Sequence, residues 1–409
     1  MKKILIVEDS LPIIALHKSI AIKAGLDPVV ATTFAEVKQL SSQFDDFFCA
    51  VIDYSLPDAQ NGEAIDYVLS KNVPGIVMTG MLDDKIREHI LKLPVIDYIT
   101  KESKQAFQYL LALVIKLQTN HHIKILVVDD SGITRNYLKQ LLTRHNFTVL
   151  LADSGLSALA TLKENPDIKL VVTDKEMPNM DGIELCNEIR ANFTKEEVGI
   201  IGISGNASQS LTAKFIKNGA NDFLRKPFCL EEFYCRVVQN IEYVQSIDII
   251  RKQANTDYLT GLANRRYFFD TVQPIIQSQQ SATIAMMDID NFKVINDTYG
   301  HDAGDIVLKT ISELLKQHFG QDYIVARLGG EEFSVFLSEM DLTDAAEKLE
   351  RFRSELANKN IDIGERTINC TVSIGVCKDK RERLDGLLIH ADQLLYKAKE
   401  QGKNKVVYD

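Results

Sequence analysis

Gly329-Gly330-Glu331-Glu332-Phe333 places two carboxylates just past a bend that carries no side chains, between apolar runs at 323–328 and 333–337. The runs have strand character, so the glycines read as a hairpin turn with backbone angles that other residues avoid. A bulky ligand can approach such a turn closely. Paired carboxylates there suit a divalent cation, and a cation beside an open glycine turn suits a nucleoside triphosphate. Upstream, the strand-like run 283–287 ends in Asp288-Ile289-Asp290. Further acids gather nearer the start: Glu8 and Asp9 with Asp53, then Asp129 and Asp130 with Asp174. Carboxylates crowded in this way repel one another unless a cation sits among them, so each set reads as an oxygen-rich pocket for Mg2+.

These acids need elements to hold them, and the chain repeats itself to build them. Lys3 to Val7 followed by Glu8-Asp9-Ser10 returns 121 residues later as Lys124 to Val128 followed by Asp129-Asp130-Ser131. Val51-Ile52-Asp53 and Pro57 return at the same interval as Val172-Thr173-Asp174 and Pro178, while Thr79 and Lys101 are answered by Ser204 and Lys226. Such a long period means two copies of one domain, not a solenoid of short units. Within each copy, β-branched runs alternate with helical patterns at 13–24 and 134–145, which predicts βα units on a parallel sheet. Ligands bind at the carboxyl ends of such strands, where the acids, hydroxyls and lysines all fall. After Pro227, Leu230, Phe233, Val237, Ile241, Val244 and Ile247 recur at steps of three and four, predicting one long helix towards Ala254. Its first half would close the second copy. Its second half is suited to pair with another chain or to transmit a change of register.

A chain of 409 residues with 45% hydrophobic content accommodates roughly two to four domains, each with its own core. The net charge of -10 and the lack of a clustered basic patch exclude nucleic acid as the main partner. No apolar run reaches membrane-span length, and acids follow the first residues too soon for a signal peptide, so no membrane partner and a cytoplasmic location are expected. The six cysteines form no Cys-x-x-Cys pair and read as reduced thiols.

Both copies resemble CheY-like receiver domains of two-component signalling. The resemblance implies two doubly wound, flavodoxin-like (βα)5 domains at 1–120 and 121–240, in a chain that is α/β and multi-domain. It makes Asp53 and Asp174 the phosphoacceptors, completes the metal pockets with Glu8, Asp9, Asp129 and Asp130, and makes Thr79 and Ser204 the switch hydroxyls. Lys101 and Lys226 become the phosphate-pairing lysines, and Tyr98 and Phe223 the switch aromatics. A histidine kinase or phosphotransfer protein is the implied partner. The copies differ: Asp53 to Thr79 is 26 residues and Asp174 to Ser204 is 30, so the first copy looks trimmed around its third helix. It also has Lys101-Glu102 where the second has Lys226-Pro227, and an X-Pro bond makes a cis peptide far less costly.

The third unit, at 257–409 beyond a helical linker at 241–256, opens with Asp257-Tyr258-Leu259-Thr260-Gly261-Leu262-Ala263-Asn264-Arg265-Arg266. With Asp288-Ile289-Asp290, the run from Asn291 to Asp305 and the Gly-Gly-Glu-Glu-Phe turn, it resembles a GGDEF-family diguanylate cyclase, an α+β domain like the nucleotidyl cyclase palm. The implied reaction condenses two GTP into cyclic di-GMP and two pyrophosphates, in a homodimer, with Mg2+ or Mn2+. Asp288, Glu331 and the Ile289 carbonyl are the implied metal ligands, and Glu331 is the implied proton acceptor with Glu332 beside it. Lys293 would stabilise the transition state, Asn296 and Asp305 would read guanine, and His301 falls in the same substrate-contact block. Lys399 and Lys403, four apart on an expected helix at 387–401, match phosphate-binding positions. The family's product-inhibition pattern, Arg-x-x-Asp, is replaced by Gly320-Gln321-Asp322-Tyr323. The alternative function is a silent, nucleotide-sensing scaffold, but such proteins lose the metal acid or the turn, and Asp288, Gly329, Gly330 and Glu331 all stand.

Overall fold

In a computed structural model that describes residues 2–80, 84–101, 103–205, 209–278, 282–364, 366–379 and 383–409, the chain divides into two compact units, Met1–Ile247 and Asp248–Asp409. Glu102 lies outside the described residues.

The first unit contains two five-stranded parallel sheets. One is built from β1 (Lys3–Val7), β2 (Asp27–Ala31), β3 (Phe47–Asp53), β4 (Gly75–Thr79) and β5 (Asp97–Thr100), in the order β2-β1-β3-β4-β5. The other uses β6 (Lys124–Val128), β7 (Thr148–Ala152), β8 (Ile168–Asp174), β9 (Gly199–Ser204) and β10 (Asp222–Arg225) in the same spatial order. Alternate side chains on a strand face opposite sides of the sheet, so a strand covered on both sides is apolar throughout. Accordingly Leu5, Val7, Ala50, Ile52 and Val77 fill one core, while Ile4, Cys49, Val51, Ile76 and Met78 fill the core on the opposite face. This order reverses direction between β1 and β3, opening a crevice at their carboxyl ends. The third helix of the first copy is Glu63–Ser70, eight residues, against eleven in Gly182–Asn192, which accounts for most of the shorter spacing. The Lys226–Pro227 peptide is cis.

The helix Leu230–Asn255 is continuous over 26 residues. Phe233, Val237, Ile241 and Val244 are buried, whereas Ile249 and Ile250 are exposed. The stretch from 241 continues the helix that closes the second sheet, Ile241 belongs to that core, and the division between the two units falls within this stretch, after Ile247.

The second unit is built on β11 (Ala263–Asn264), β12 (Ala282–Ile289), β13 (Ile324–Gly329), β14 (Glu332–Ser338), β15 (Ile361–Asp362), β16 (Thr367–Ile368), β17 (Val372–Asp379) and β18 (Val406–Tyr408). Six of these form a mixed sheet, β11-β13-β14-β12-β17-β18, with every residue of β12 buried. Ala285, Met287 and Ile289 face helices His301–Phe319 and Leu342–Ala357, and Ile284 and Met286 face Arg265–Ser278 and Leu384–Glu400. Gly375 lets the last of these lie directly on β17, since a Cβ there would sit 2.1 Å from the Ala391 carbonyl oxygen.

His17 and His145 are each 2% exposed, and neither ring nitrogen of His17 has a hydrogen-bond partner. Burial pushes both imidazoles down to about 4. The unfolded chain takes up protons near pH 6.5 that the fold refuses until about pH 4, so this stability is complete above pH 6.5 and declines as pH falls through that window. Urea midpoints measured between pH 7 and pH 4 should fall progressively, and His17→Phe should flatten the decline.

Candidate functional site

The glycine turn closes the antiparallel hairpin of β13 and β14, with Gly330 in the left-handed region at φ +51°. A Cβ built on either Gly329 or Gly330 would meet no atom within 4 Å. Glycine is thus demanded at 330 by the backbone angle and not by crowding, and the space over the turn is open.

Register brings the acids to this opening. Asp288 on β12 pairs with Glu332 on β14, so their side chains share a face of the sheet. Burial pushes both carboxyl groups above their ordinary range, and the neighbouring acids push further: Glu331 and Asp290 on Asp288, and Asp288, Asp392 and Glu331 on Glu332. Lys399 Nζ, 2.8 Å from Asp288 Oδ1, offsets part of the repulsion. A cation would offset more, so these residues fit Mg2+. Ile289 buries its side chain in the core. Asp290 is spent elsewhere: it accepts from Thr371 Oγ1 (2.7 Å), Ser373 Oγ (2.7 Å) and the Asn404 amide (3.0 Å), bracing the end of β12.

Lys293 and Asn296 lie on the helix Phe292–Tyr299, and His301 and Asp305 open the next helix. Lys293, His301 and Asp305 are exposed. Asn296 crosses to the second helix, where a Cβ on Gly304 would sit 2.0 Å from Asn296 Oδ1, so glycine at 304 makes room for that side chain. The expected helix at 387–401 ends at Glu400, and Lys403 lies past it at φ +63°, so Lys399 and Lys403 do not share a helical face. A turn of the chain instead delivers Lys403 to Asn291 Oδ1 at 2.5 Å.

Two residues that the sequence left without a role tie the turn down. Arg327 donates Nε (2.9 Å) and Nη2 (2.8 Å) to the Gly330 carbonyl and Nη1 (3.0 Å) to Asp257. Asp257 also accepts from Thr260 Oγ1 at 2.7 Å, and although burial opposes its charge, these donors hold its carboxyl below the ordinary range. Asn264 Nδ2 donates to the Ala254 carbonyl at 2.7 Å, fastening the end of the long helix to the segment that carries Asp257. The available signal was an arginine two residues before the glycines.

In the first unit, Lys101 Nζ lies 2.6 Å from both Glu8 and Asp53. Glu8, Asp9 and Asp53 offer oxygens within 4.8 Å of one another, and among the described residues no other three acids close to that distance. Burial raises the Glu8 carboxyl, opposed by Lys101 and reinforced by Asp53. In the second copy Lys226 bridges Asp174 (2.6 Å) and Asp129 (3.2 Å), while Asp130 is exposed and stands outside the group. Burial raises Asp174 in the same way, against Lys226. Thr79 and Ser204 are buried at the ends of β4 and β9. The two matching aromatics differ: Phe223 is buried against Phe215, and Tyr98 is half-buried with its hydroxyl 2.8 Å from Glu231 Oε1. Burial opposes the charge on Glu231, but its own amide, Tyr98 and Arg87 bring it down to about 2.

Comparison with known proteins agrees with this geometry. The model described as Diguanylate cyclase, GGDEF domain matches residues 254–405, and the Response regulator receiver domain matches 125–238. A solved structure of a two-component system response regulator/GGDEF domain protein is 38% identical, covers 60% of this chain and 100% of its own, and has a TM-score of 0.53. The chain belongs to the GGDEF response-regulator family. Diguanylate cyclase VdcA of Vibrio cholerae is 30% identical over 268 residues, 64% of this chain and 74% of that relative. Response regulator PleD of Caulobacter vibrioides is 29% identical over 299 residues, 69% of this chain, which spans 65% of PleD. The receiver match falls on the second copy, and the first shares its strand order and its acid–lysine pocket. No described helix of this GGDEF response regulator is long and apolar enough to cross a membrane.

Hydrogen bonds from a guanidinium are worth about 1.5–3 kcal/mol. Arg327→Ala should therefore speed amide exchange across residues 329–333 roughly ten- to hundredfold, with exchange in the β12 core unchanged.

Proposed function

We propose that this GGDEF response regulator condenses two GTP into cyclic di-GMP and two pyrophosphates, as a dimer governed by phosphorylation of its receivers. One observation carries the reading: an open glycine turn lies beside Asp288, Glu332 and Lys399, whose crowding calls for a cation. In each of two steps the 3'-oxygen of one GTP bonds to the α-phosphorus of the other, the bridge to the β-phosphate breaks, and pyrophosphate leaves. Mg2+ or Mn2+ held by Asp288, Glu331 and the Ile289 carbonyl would polarise the phosphate and offset charge on the leaving group. Glu331 takes the hydroxyl proton, with Glu332 adjoining it. Lys293 opposes the charge that builds on the phosphoryl oxygens. Lys399 and Lys403 hold phosphates, which requires Lys399 to exchange Asp288 for the nucleotide. Asp305 accepts from the guanine N1–H and amino groups, a donor pair adenine lacks, and Asn296 and His301 complete that contact.

One glycine turn serves one nucleotide, so two GGDEF domains must face each other for product to form. The receivers control that meeting. A histidine kinase or phosphotransfer protein phosphorylates Asp53, Asp174 or both, and the dianion engages Thr79 or Ser204 and Lys101 or Lys226. The 2.6 Å approach of each lysine to its aspartate supports this assignment. Gly320 and Tyr323, in place of the Arg and Asp of the product-inhibition pattern, support weak feedback at that position.

Purified protein incubated with GTP and Mg2+, with and without beryllofluoride, tests the reading. Wild type should yield cyclic di-GMP and Glu331→Gln at least about a hundredfold less. Loss of beryllofluoride stimulation in Asp53→Asn or Asp174→Asn identifies the working receiver. Absence of product from wild type in every condition would favour the silent scaffold.

A further inference from the structure

A cavity of about 550 Å³ lies within the first compact unit, between its two receivers. Asp97, at the start of β5, and Tyr109 and Lys116, on the helix Lys104–Thr119, wall it from the first receiver. From the second come His145 and, on the helix Leu230–Asn255, Glu231, Tyr234 and Glu242. That volume is in the range of sites that take small molecules. Tyr109 is half exposed, so the cavity opens to solvent past that wall.

The walls carry acceptors that lack donors. His145 is 2% exposed, and its Nε2 is buried with no hydrogen-bond partner among the described residues. Burial keeps the ring neutral, and a hydrogen bond to the main chain of Ile96 favours a proton on the other nitrogen, which leaves Nε2 a lone pair. Glu231 repeats the pattern. Tyr98 and Arg87 donate to Oε1, while Oε2 is buried with no hydrogen-bond partner among the described residues, the Cys229 thiol being a weak donor nearby. Asp97 accepts from the Tyr98 amide (2.8 Å) and the Tyr109 hydroxyl (2.5 Å), both neutral, and pairs with no cation among the described residues. Charge has the same sign throughout. Lys116 is the one cation that lines the cavity among the described residues, and Glu242 takes it. Asp97 and Glu231 repel each other from opposite walls. Burial, and after it the charge of Asp97, raises the Tyr109 hydroxyl. A metal ion does not fit, because among the described residues only Glu8, Asp9 and Asp53 close to coordination spacing. Aromatic walls beside unpaired acceptors favour an organic cation, whose N–H groups donate while its carbon lies against the rings.

We propose that this cavity binds a small organic dication, an alkyl diamine, held between the acids of the two receivers. One ammonium donates to Glu231 Oε2 and His145 Nε2 on the second receiver, the other pairs with Asp97 on the first, and the carbon chain lies against Tyr109 and Tyr234. An occupant with a hold on both walls fastens the receivers to one another. A soluble amine is then an input to the receiver pair, and it needs neither Asp53, Asp174 nor GTP.

Isothermal titration calorimetry and hydrogen–deuterium exchange on the full chain, with 1,4-diaminobutane as the probe, test this without reading GTP turnover. At about ten times its Kd the diamine should slow exchange about tenfold on both walls, at 104–116 and at 230–242, and leave the sheet of the second unit unchanged. 1-Aminobutane should bind about tenfold more weakly, and succinate, of matching length and opposite charge, should not bind. Asp97→Asn and Glu231→Gln, one on each wall, should each weaken the diamine about tenfold or more. The exchange measurement on the unsubstituted chain needs no variant to fold. The proposal is overturned if no diamine from 1,3-diaminopropane to 1,6-diaminohexane slows exchange on both walls, in which case the cavity holds water alone. It is equally overturned if succinate binds as well as the diamine, or if both substitutions leave diamine binding undiminished.

Discussion

Buried carboxylates that crowd one another must be offset by positive charge, and this chain meets that constraint three times with one lysine, twice just past the end of a strand and once from a helix. Lys101 stands between Glu8 and Asp53, Lys226 between Asp129 and Asp174, and Lys399 against Asp288. In each case burial raises at least one of the acids and the lysine works against that rise. A lysine is a compact charge on a flexible stem, so it can surrender its place to a metal ion or swing to a phosphate without refolding its surroundings.

The scaffolds that produce these clusters differ. In the two parallel sheets, the reversal of strand order between the first and third strands opens the crevice, and the acids sit where those strands end. In the mixed sheet, antiparallel register sets Asp288 across from Glu332 beside the hairpin, and close backbone contact at Gly375 seats the helix that carries Lys399. The glycine turn does not hold itself. Arg327 grips its carbonyl and is itself held by Asp257, and Asn264 fastens the segment that carries Asp257 to the end of the long helix. That helix also receives Tyr98 and Arg87 at its beginning. Both of its ends are thus hydrogen-bonded to segments that neighbour a charged pocket.

Much of this was written in the linear chain. The interval between Asp53 and Asp174 and the alternation of βα patterns were sufficient for two copies of a parallel-sheet domain, and the family resemblance carried by these motifs and by the glycine turn with Asp288 upstream implied the doubly wound folds and the third, α+β unit. Those features are local or periodic, and local chemistry survives projection onto one dimension: a strand-end acid is at a strand end however the sheet is packed. The reading of Lys403 shows where that stops. A four-residue spacing implies a shared face only while the helix lasts, and this one ends at Glu400, so the position of Lys403 comes from a turn at positive φ.

What the sequence determined by itself was the inventory: which acids, lysines, hydroxyls and glycines are present and, Lys403 excepted, which strand or helix carries or adjoins each. What only the tertiary structure decided was who meets whom across the chain. Arg327 finds Asp257, Asp290 finds Thr371 and Asn404, and Tyr98 finds Glu231, at separations where no periodicity operates. The two receivers illustrate the difference most plainly. Tyr98 and Phe223 occupy matching places in a repeated motif, yet one is bonded to the neighbouring domain and the other is sealed against Phe215. The reason is physical: a repeat in sequence specifies each domain's own core, whereas contacts between domains depend on side chains whose partners lie in another element, and no local pattern encodes that pairing.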